Sequence, residues 1–399
     1  MLMDLHKEMS KKILFVINSL AVGGTETQLS LLAQHLVIRN FRVFIFVLTQ
    51  NGELEKNLKN NNMSIIGGRY NRNSFFLTRF FQLLGAQFLL LSYCIKQKPN
   101  IVHSFLPLTN FITAPICKLI KIPYITSWRS LTHYRDKFFL FSSMDTLALR
   151  WSKAVVCNSK AVLTDLLKKD VWLEEKKTYV IYNGIHFPEN KKKSSSLINL
   201  RKNLGLLKSD LGIVYVANLI SYKGHIDLID AFYSLNPREK NLKLFLVGED
   251  RGIQKNLRAL AEKYNILDQI FFLGLRNDIQ DILESMDIGI MASHEEGFSN
   301  SLLEKIAAGL PVVATDVGGN KEAMKGLKGC VLVKPKNPPS LAKGLQHVIE
   351  NLNHSKNSDG IDRSNKIKSQ FSVEKMVQSY VRLYDTLTNV HPHKTQKNN

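Results

Sequence analysis

Glu296 and Glu304, seven residues apart in between, bracket the most chemically suggestive stretch of the chain, Ser293-His294-Glu295-Glu296-Gly297-Phe298-Ser299-Asn300-Ser301-Leu302-Leu303-Glu304. The apolar run Met286 to Met291 before it reads as a buried strand. After Asn300, the residues Leu302, Leu303, Ile306 and Ala307 recur at helical spacing, and Gly309 and Pro311 end that helix. Val312 to Thr315 then reads as the next strand. The loop therefore falls at the carboxyl end of a strand and the amino end of a helix, where α/β sheets bind phosphorylated ligands. Phe298, Ser299, Asn300, Ser301 and Leu302 would present backbone N–H groups at a positive dipole end. A diphosphate can rest on such a turn while the carboxylates hold hydroxyls. A purely structural alternative stands beside this one, because Ser301-Leu302-Leu303-Glu304 also fits a capping box.

Other residues with chemical potential lie at similar places. Lys12 to Asn18 reads as a strand, followed by Gly23-Gly24 and a helix with apolar Leu29, Leu32, Ala33 and Leu36. Glycines in a first βα turn let backbone approach a phosphate or sugar, although a simple tight turn needs them as well. His103 closes the strand Ile101 to Phe105, either as a site residue or as a hydrogen-bonded core histidine. Lys223 stands beside Gly224 at another βα turn, where it would add a mobile point charge to backbone donors; an ordinary surface lysine is the alternative. Further strands, some with the turn that follows, are expected at 41–48, 63–66, 123–129, 154–159, 179–185, 211–219, 244–250, 270–278 and 331–333. This strand–helix rhythm is that of a doubly wound α/β protein.

The segment Glu296 to Glu304, with its continuation Gly309-Leu310-Pro311-Val312-Val313-Ala314-Thr315-Asp316-Val317-Gly318-Gly319, resembles the paired-glutamate motif of family 4 of the retaining glycosyltransferases, the group 1 glycosyl transferases. The resemblance implies the B-type fold, two doubly wound Rossmann-like α/β domains facing each other across a cleft. It implies transfer of a sugar from a UDP- or GDP-sugar to a glycan or lipid-linked acceptor with retention at the anomeric carbon. In that family Glu304 grips the ribose, and Glu296, the catalytic carboxylate, holds the donor sugar. Lys223 and the turn from Phe298 to Leu302 bind the diphosphate. The strand-end position where the family has an arginine is Asn218 here. Gly24 contacts the donor through its backbone, Glu26 holds that loop, and Arg276 lies against the base. His103 faces the donor sugar, although the second histidine often found two residues on is Phe105. Arg129 is the candidate contact to acceptor or phosphate, and Asn183-Gly184-Ile185 matches a hinge-side turn. No metal and no cofactor are implied, the nucleotide sugar being a substrate. Unlike retaining hydrolases, the family uses no covalent carboxylate intermediate: the leaving phosphate accepts the acceptor's proton.

At 399 residues the chain is long enough for two cores. The expected division is residues 1–190, an acceptor domain; 191–372, a donor domain; and 373–399, a helix returning to the first domain with a disordered tail. A formal net charge of +20 points to an anionic partner. Nucleic acid is not expected, since no helix-turn-helix, zinc or aromatic RNA-binding signature is present. Residues 56–135 contain no Asp or Glu while Lys and Arg recur throughout, which suggests a face for an anionic membrane surface. The alternative is a merely basic surface. Phe75 to Ile95 is rich in Phe and Leu but is broken by Arg79, Gln82 and Gln87, so it reads as a sheet-covering helix, with interfacial insertion as the second option. Four scattered cysteines read as core thiols. With no signal peptide in Met1 to Lys12, a cytoplasmic location is expected, with peripheral docking on the inner membrane face and a role in cell-envelope polysaccharide synthesis. A nucleotide-sugar epimerase of the same fold and a non-catalytic basic binding protein are the competing functions.

Overall fold

A computed structural model describes residues 10–388 apart from 62, 133–134, 136–138, 188–193 and 353–357. The sequence also suggests a linker at 189–208, mobile over 191–196; the chain is instead helical at Ser194–Asn203, while residues 189–193 and the expected disordered tail from His391 lie outside the described residues. The chain divides into two compact units, one running up to Gly184 and resuming at Val373, the other spanning Ile185–Ser372.

Among the described residues the first unit holds a seven-stranded sheet in the order β3-β2-β1-β4-β5-β6-β7, every pairing parallel. Its strands are β1 Lys12–Ile17, β2 Arg42–Val47, β3 Ser64–Gly67, β4 Ile101–Phe105, β5 Tyr124–Trp128, β6 Ala154–Cys157 and β7 Thr178–Val180. Both faces of a parallel sheet are covered, so its central strands can be apolar throughout. β1 illustrates this: Ile13, Phe15 and Ile17 join the core formed with Leu29 and Leu32 of the helix Gly24–Ile38 and with Val377, Tyr380 and Tyr384 of the helix Val373–Thr388. Leu14 and Val16 point to the opposite core, built with Ala86 and Leu90 of the helix Phe76–Gln97 and with Ile112 and Cys117 of the helix Pro107–Ile120. The period-two alternation thus sorts one strand's side chains between two helical layers. Cys94, Cys117 and Cys157 are buried, and Cys330 is half-buried.

The second unit repeats the plan with six parallel strands in the order β10-β9-β8-β11-β12-β13 among the described residues. They are β8 Leu211–Val216, β9 Leu242–Val247, β10 Ile270–Gly274, β11 Ile288–Met291, β12 Val312–Thr315 and β13 Val331–Val333. Strand order reverses between β8 and β11, so the loops after these two strands diverge and leave a crevice at the carboxyl edge, where open α/β sheets take ligands. No described helix is long and apolar enough to cross a membrane.

Gly184, where the chain leaves the first unit, is tied down by the Gln28 side chain. Gln28 donates through Nε2 to the Gly184 carbonyl at 2.8 Å, and its Oε1 accepts the Gly184 N–H at 2.9 Å. A Cβ on Gly184 would lie 2.6 Å from Cα of Val373, the first residue of the terminal helix. Gly184→Ala should therefore lower unfolding stability by about 1–3 kcal/mol through overpacking, read as a fall in urea midpoint. An unchanged midpoint would show that the helix can shift without cost.

Candidate active site

The switch point of the second unit gathers a polar cluster. After β8 the chain makes a short 3₁₀ turn, Ser221–Lys223, and enters the helix His225–Tyr233 through Gly224. Gly224 has φ +68°, and a Cβ there would fall 2.1 Å from the carbonyl oxygen of Ala292, just past β11. The two loops are thus in backbone contact at a place only glycine fits. That contact sets Lys223 against the β11 loop. Its Nζ lies 2.6 Å from Oε1 of Glu296, which also accepts a hydrogen bond from Ser293 Oγ at 2.7 Å. Tyr215 of β8 donates its hydroxyl to the Lys223 carbonyl at 2.6 Å and lies 3.1 Å from Ser293 Oγ. The backbone of Glu296 is held from the other side: Gly318, at φ +50°, approaches so closely that a Cβ would be 2.0 Å from the Glu296 carbonyl oxygen, and the Gly319 N–H donates to the Gly297 carbonyl at 2.8 Å. The Lys223 and Glu296 side chains keep 20% and 11% of their surface, enough to meet a ligand.

The helix Asn300–Ala307 begins beside this pair, and its start corrects the capping-box alternative. The N-cap is Ser299, whose Oγ accepts the Leu302 N–H at 3.3 Å. Ser301 lies inside the helix and donates its hydroxyl to the Val216 carbonyl at the end of β8, 2.6 Å away. Glu304 is too far into the helix to close a box, and among the described residues nothing hydrogen-bonds its carboxylate. It is half-buried, and burial raises its pKa against the opposing pull of Lys305. Of the five residues expected to offer amides, Leu302 has its N–H taken by the cap; the Phe298 ring is buried 5.3 Å from that of Phe371. What Phe298 can present to a ligand is backbone. Ser299, Asn300 and Ser301 form the turn at the positive end of the helix dipole.

Lys305 has no exposed surface. Its Nζ donates to the Ser301 carbonyl at 3.1 Å and to Ser301 Oγ, and lies 5.8 Å from the Tyr215 ring centroid. Gly289 of β11 makes room for its stem, since a Cβ there would meet Lys305 Cδ at 2.9 Å. Burial pushes its pKa down to about 7; Glu304 and Glu296 pull it back up, and Lys223 opposes them. The sequence signal for Lys305 is a lysine interrupting the apolar face made by Leu302, Leu303 and Ile306.

Asn218 follows β8 and Arg276 follows β10, with β9 between these strands, and both are engaged locally. Asn218 Oδ1 accepts the Glu249 N–H at 3.1 Å, pinning the loop after β9. Arg276 makes a two-pronged pair with Asp278, at 2.8 and 2.6 Å. His294 Nε2 lies 2.9 Å from Asp227 Oδ2, a further tie between the β8 and β11 loops.

The remaining expected residues lie in the first unit. Gly24 opens the helix after the β1 loop, and Glu26 folds back over Gly23 so closely that a Cβ on Gly23 would be 2.3 Å from its Oε2. Glu26 therefore braces this loop. Burial raises its pKa, and Arg129 pulls it down. Arg129 is half-buried and donates through Nη2 to Asn183 Oδ1 at 2.7 Å. His103 requires a correction. It has no exposed surface, its Nδ1 is 2.9 Å from the Tyr384 hydroxyl and its Nε2 is 2.7 Å from Ser127 Oγ. Its ring stacks on Phe105 at 4.3 Å, and burial, helped by the Arg129 charge, holds its pKa well below the ordinary value. It is the hydrogen-bonded core histidine of the alternative reading. Among the described residues, no group of three His, Cys, Asp or Glu side chains stands close enough to hold a metal ion.

The Lys305 shift gives a stability test. A lysine whose folded pKa is near 7 and whose ordinary value is 10.5 leaves the unfolded chain with more protons across that window, so stability rises with pH through it. Relative to Lys305→Met, the wild-type chain should gain urea resistance between about pH 7 and about pH 9.5. A difference independent of pH would mean that the ammonium is not destabilised by its surroundings.

The model of the group 1 glycosyl transferases matches residues 198–360, and that of glycosyltransferase family 4 matches residues 22–187. An uncharacterized glycosyltransferase of Methanocaldococcus jannaschii is 30% identical over 267 residues, 63% of this chain and 66% of that protein. The N-acetylgalactosamine-N,N'-diacetylbacillosaminyl-diphospho-undecaprenol 4-alpha-N-acetylgalactosaminyltransferase of Campylobacter jejuni is 29% identical over 225 residues, 55% of this chain and 58% of that one. Among solved structures, HepE of Anabaena, crystallised with UDP, superimposes with a TM-score of 0.82 at 21% identity, covering 94% of this chain and 100% of its own; it has also been crystallised with UDP-glucose. With two parallel-sheet α/β domains and both family signatures laid over them, the chain is a glycosyltransferase enzyme of the group 1, family 4 glycosyltransferases.

Proposed function

We propose that the enzyme transfers a sugar from a UDP- or GDP-sugar to a hydroxyl of a glycan or lipid-linked acceptor, with retention and without a metal ion, in cell-envelope polysaccharide synthesis. The observation that carries this is the Lys223–Glu296 pair beside the start of the helix Asn300–Ala307. An incoming diphosphate competes with Glu296 for the Lys223 ammonium. It takes that charge together with the amides of the helix turn, and so frees the carboxylate to hold the donor sugar. Glu304, whose carboxylate is hydrogen-bonded by none of the described residues, is suited to ribose hydroxyls. In the transfer step the acceptor oxygen bonds to the anomeric carbon as the bond from that carbon to the phosphate oxygen breaks, and the acceptor's proton passes to the departing diphosphate. Charge developing on the diphosphate is met by groups already in place, commonly the largest catalytic contribution. The HepE complexes with UDP and UDP-glucose and the undecaprenol-linked substrate named for the Campylobacter enzyme support this choice of donor and acceptor class.

A panel of nucleotide sugars, scored for donor consumption with and without lipid-linked acceptors, tests the proposal. Acceptor-dependent consumption of a UDP- or GDP-sugar, unaffected by a chelator, is expected. Isomerised donor formed without acceptor would instead identify an epimerase. Glu296→Ala should lower the transfer rate by about 10²–10³-fold while the affinity for the nucleoside diphosphate changes little; an equal loss of affinity would contradict the assigned role. Glu304→Gln should weaken donor binding by roughly tenfold, as expected for a lost hydrogen bond to a charged group, with the melting temperature unchanged. A lower melting temperature with the donor constant intact would return Glu304 to a structural role.

A further inference from the structure

The helix Phe76–Gln97 buries one face and leaves the other bare. Its inward side is Ala86, Leu90 and Cys94, packed in the core beneath β1 and β2. Its outer side is also apolar: Phe75 just before the first turn is 86% exposed, Phe76 70%, Phe81 67% and Phe88 72%, with Phe80 and Leu84 between them and Ile95 near the far end. These residues recur at helical spacing and form one stripe along a helix of 22 residues, about 33 Å long. Soluble surfaces seldom carry so large a contiguous apolar patch unless it meets something.

Charge says what it meets. Residues 56–135 hold eleven Lys and Arg and no acidic side chain. Two of those cations are not on the surface: Arg135 is buried against Asp170 and Asp145, and Arg129 is engaged by Asn183. Exposed cations nevertheless stand at both ends of the stripe. Arg69 and Arg72 precede Phe75, and Lys96 and Lys98 follow Ile95. The adjoining helix Pro107–Ile120 adds Lys118 and an exposed Leu119, followed by Lys121. An apolar stripe between clusters of cations matches the layered chemistry of an anionic bilayer surface, acyl chains beneath acidic headgroups. The segment has no acidic side chain with which the same segment of a second copy could pair.

We propose that this helix lies lengthwise in the interface of an anionic membrane, its phenylalanines in the acyl layer and its flanking cations among the headgroups. The helix follows β3 and leads into β4, so its Phe-rich start lies at the carboxyl edge of the parallel sheet, the same edge as the Gly23-Gly24 loop and Arg129. If the transfer described above holds, a lipid-borne acceptor would be delivered at that edge. Membrane binding itself does not rest on transfer, and its test reads partition alone.

Flotation of the full chain with vesicles of phosphatidylcholine, alone or mixed with phosphatidylglycerol, at low and high salt is the experiment. Retention on the phosphatidylglycerol vesicles at low salt, with little on phosphatidylcholine alone, is expected. The double substitution Phe80→Ser and Phe81→Ser should reduce that retention by about tenfold or more, given the apolar area withdrawn, with circular dichroism and melting temperature preserved because neither ring is buried. Arg72→Glu with Lys96→Glu should reduce it by roughly fivefold per charge and flatten the salt dependence. Wild-type protein left in the aqueous phase, or a Phe80/Phe81 double variant that floats like the wild type, would overturn the proposal. So would a wild-type dimer in solution that the double variant splits into monomers without change in flotation, since a second copy would then cover the stripe.

Discussion

The ion pair between Lys223 and Glu296 depends on several separate parts of the second unit at once. Charges at this depth lose hydration, and their attraction offsets that cost only when neighbouring groups complete their hydrogen bonds. Ser293 supplies one to the carboxylate, while Tyr215 orders both the serine and the backbone that carries the lysine. This requires β8 and β11, paired as Ile213 with Ile288 and Val214 with Gly289, to run side by side; that pairing is reinforced as the Gly212 N–H donates to Asp287 Oδ2 at 2.8 Å. Gly224 and Gly318 then fix how closely the loops may approach, one on each side of the glutamate. The sheet topology, two left-handed glycine positions and one tyrosine thus converge on a single carboxylate oxygen.

A second lysine, Lys305, belongs to the cluster. Lys305 is enclosed by Ser301, Tyr215 and the space left at Gly289, and burial disfavours its charged form. Glu304 is shifted in the opposite sense by the same burial. Each group would be steadied in its charged form by a neighbour of opposite sign, so an anion arriving at the helix turn would favour the Lys305 ammonium at the pH where it is poised. Such a site gains electrostatic strength from its ligand instead of holding it in advance at full desolvation cost.

Much of this was legible from the residues alone, and the failures have a common cause. Every strand was placed, because apolar runs bounded by Gly, Asn and Pro carry a local signal; Ile101–Phe105 and Val312–Thr315 even keep their limits. The terminal helix showed its buried face in Met376, Val377, Tyr380 and Tyr384. What could not be read was set by partners distant in sequence. His103 is closed off by Tyr384, 281 residues away, and no local pattern distinguishes a histidine under a tyrosine from one facing a crevice. Phe298 is drawn into the core by Phe371. The capping alternative for Glu304 failed by two residues: the helix starts from Ser299, which leaves Ser301 free to reach across to Val216. The apolar outer side of the helix Phe76–Gln97 was visible as composition, but which of its phenylalanines face outward emerged only once Ala86, Leu90 and Cys94 were seen to face in.

The central claim is that phosphate, held by an ammonium and a helix start, anchors the donor in the second unit. Calorimetric titration of the full chain with UDP, GDP and uridine, repeated with Lys223→Met, measures it most directly. The expected result is binding of one nucleoside diphosphate, much weaker binding of the nucleoside without phosphates, and a loss of roughly tenfold or more in the variant, the scale of a charge-assisted hydrogen bond. No heat from either diphosphate, or a diphosphate bound equally well without the Lys223 ammonium, would contradict it.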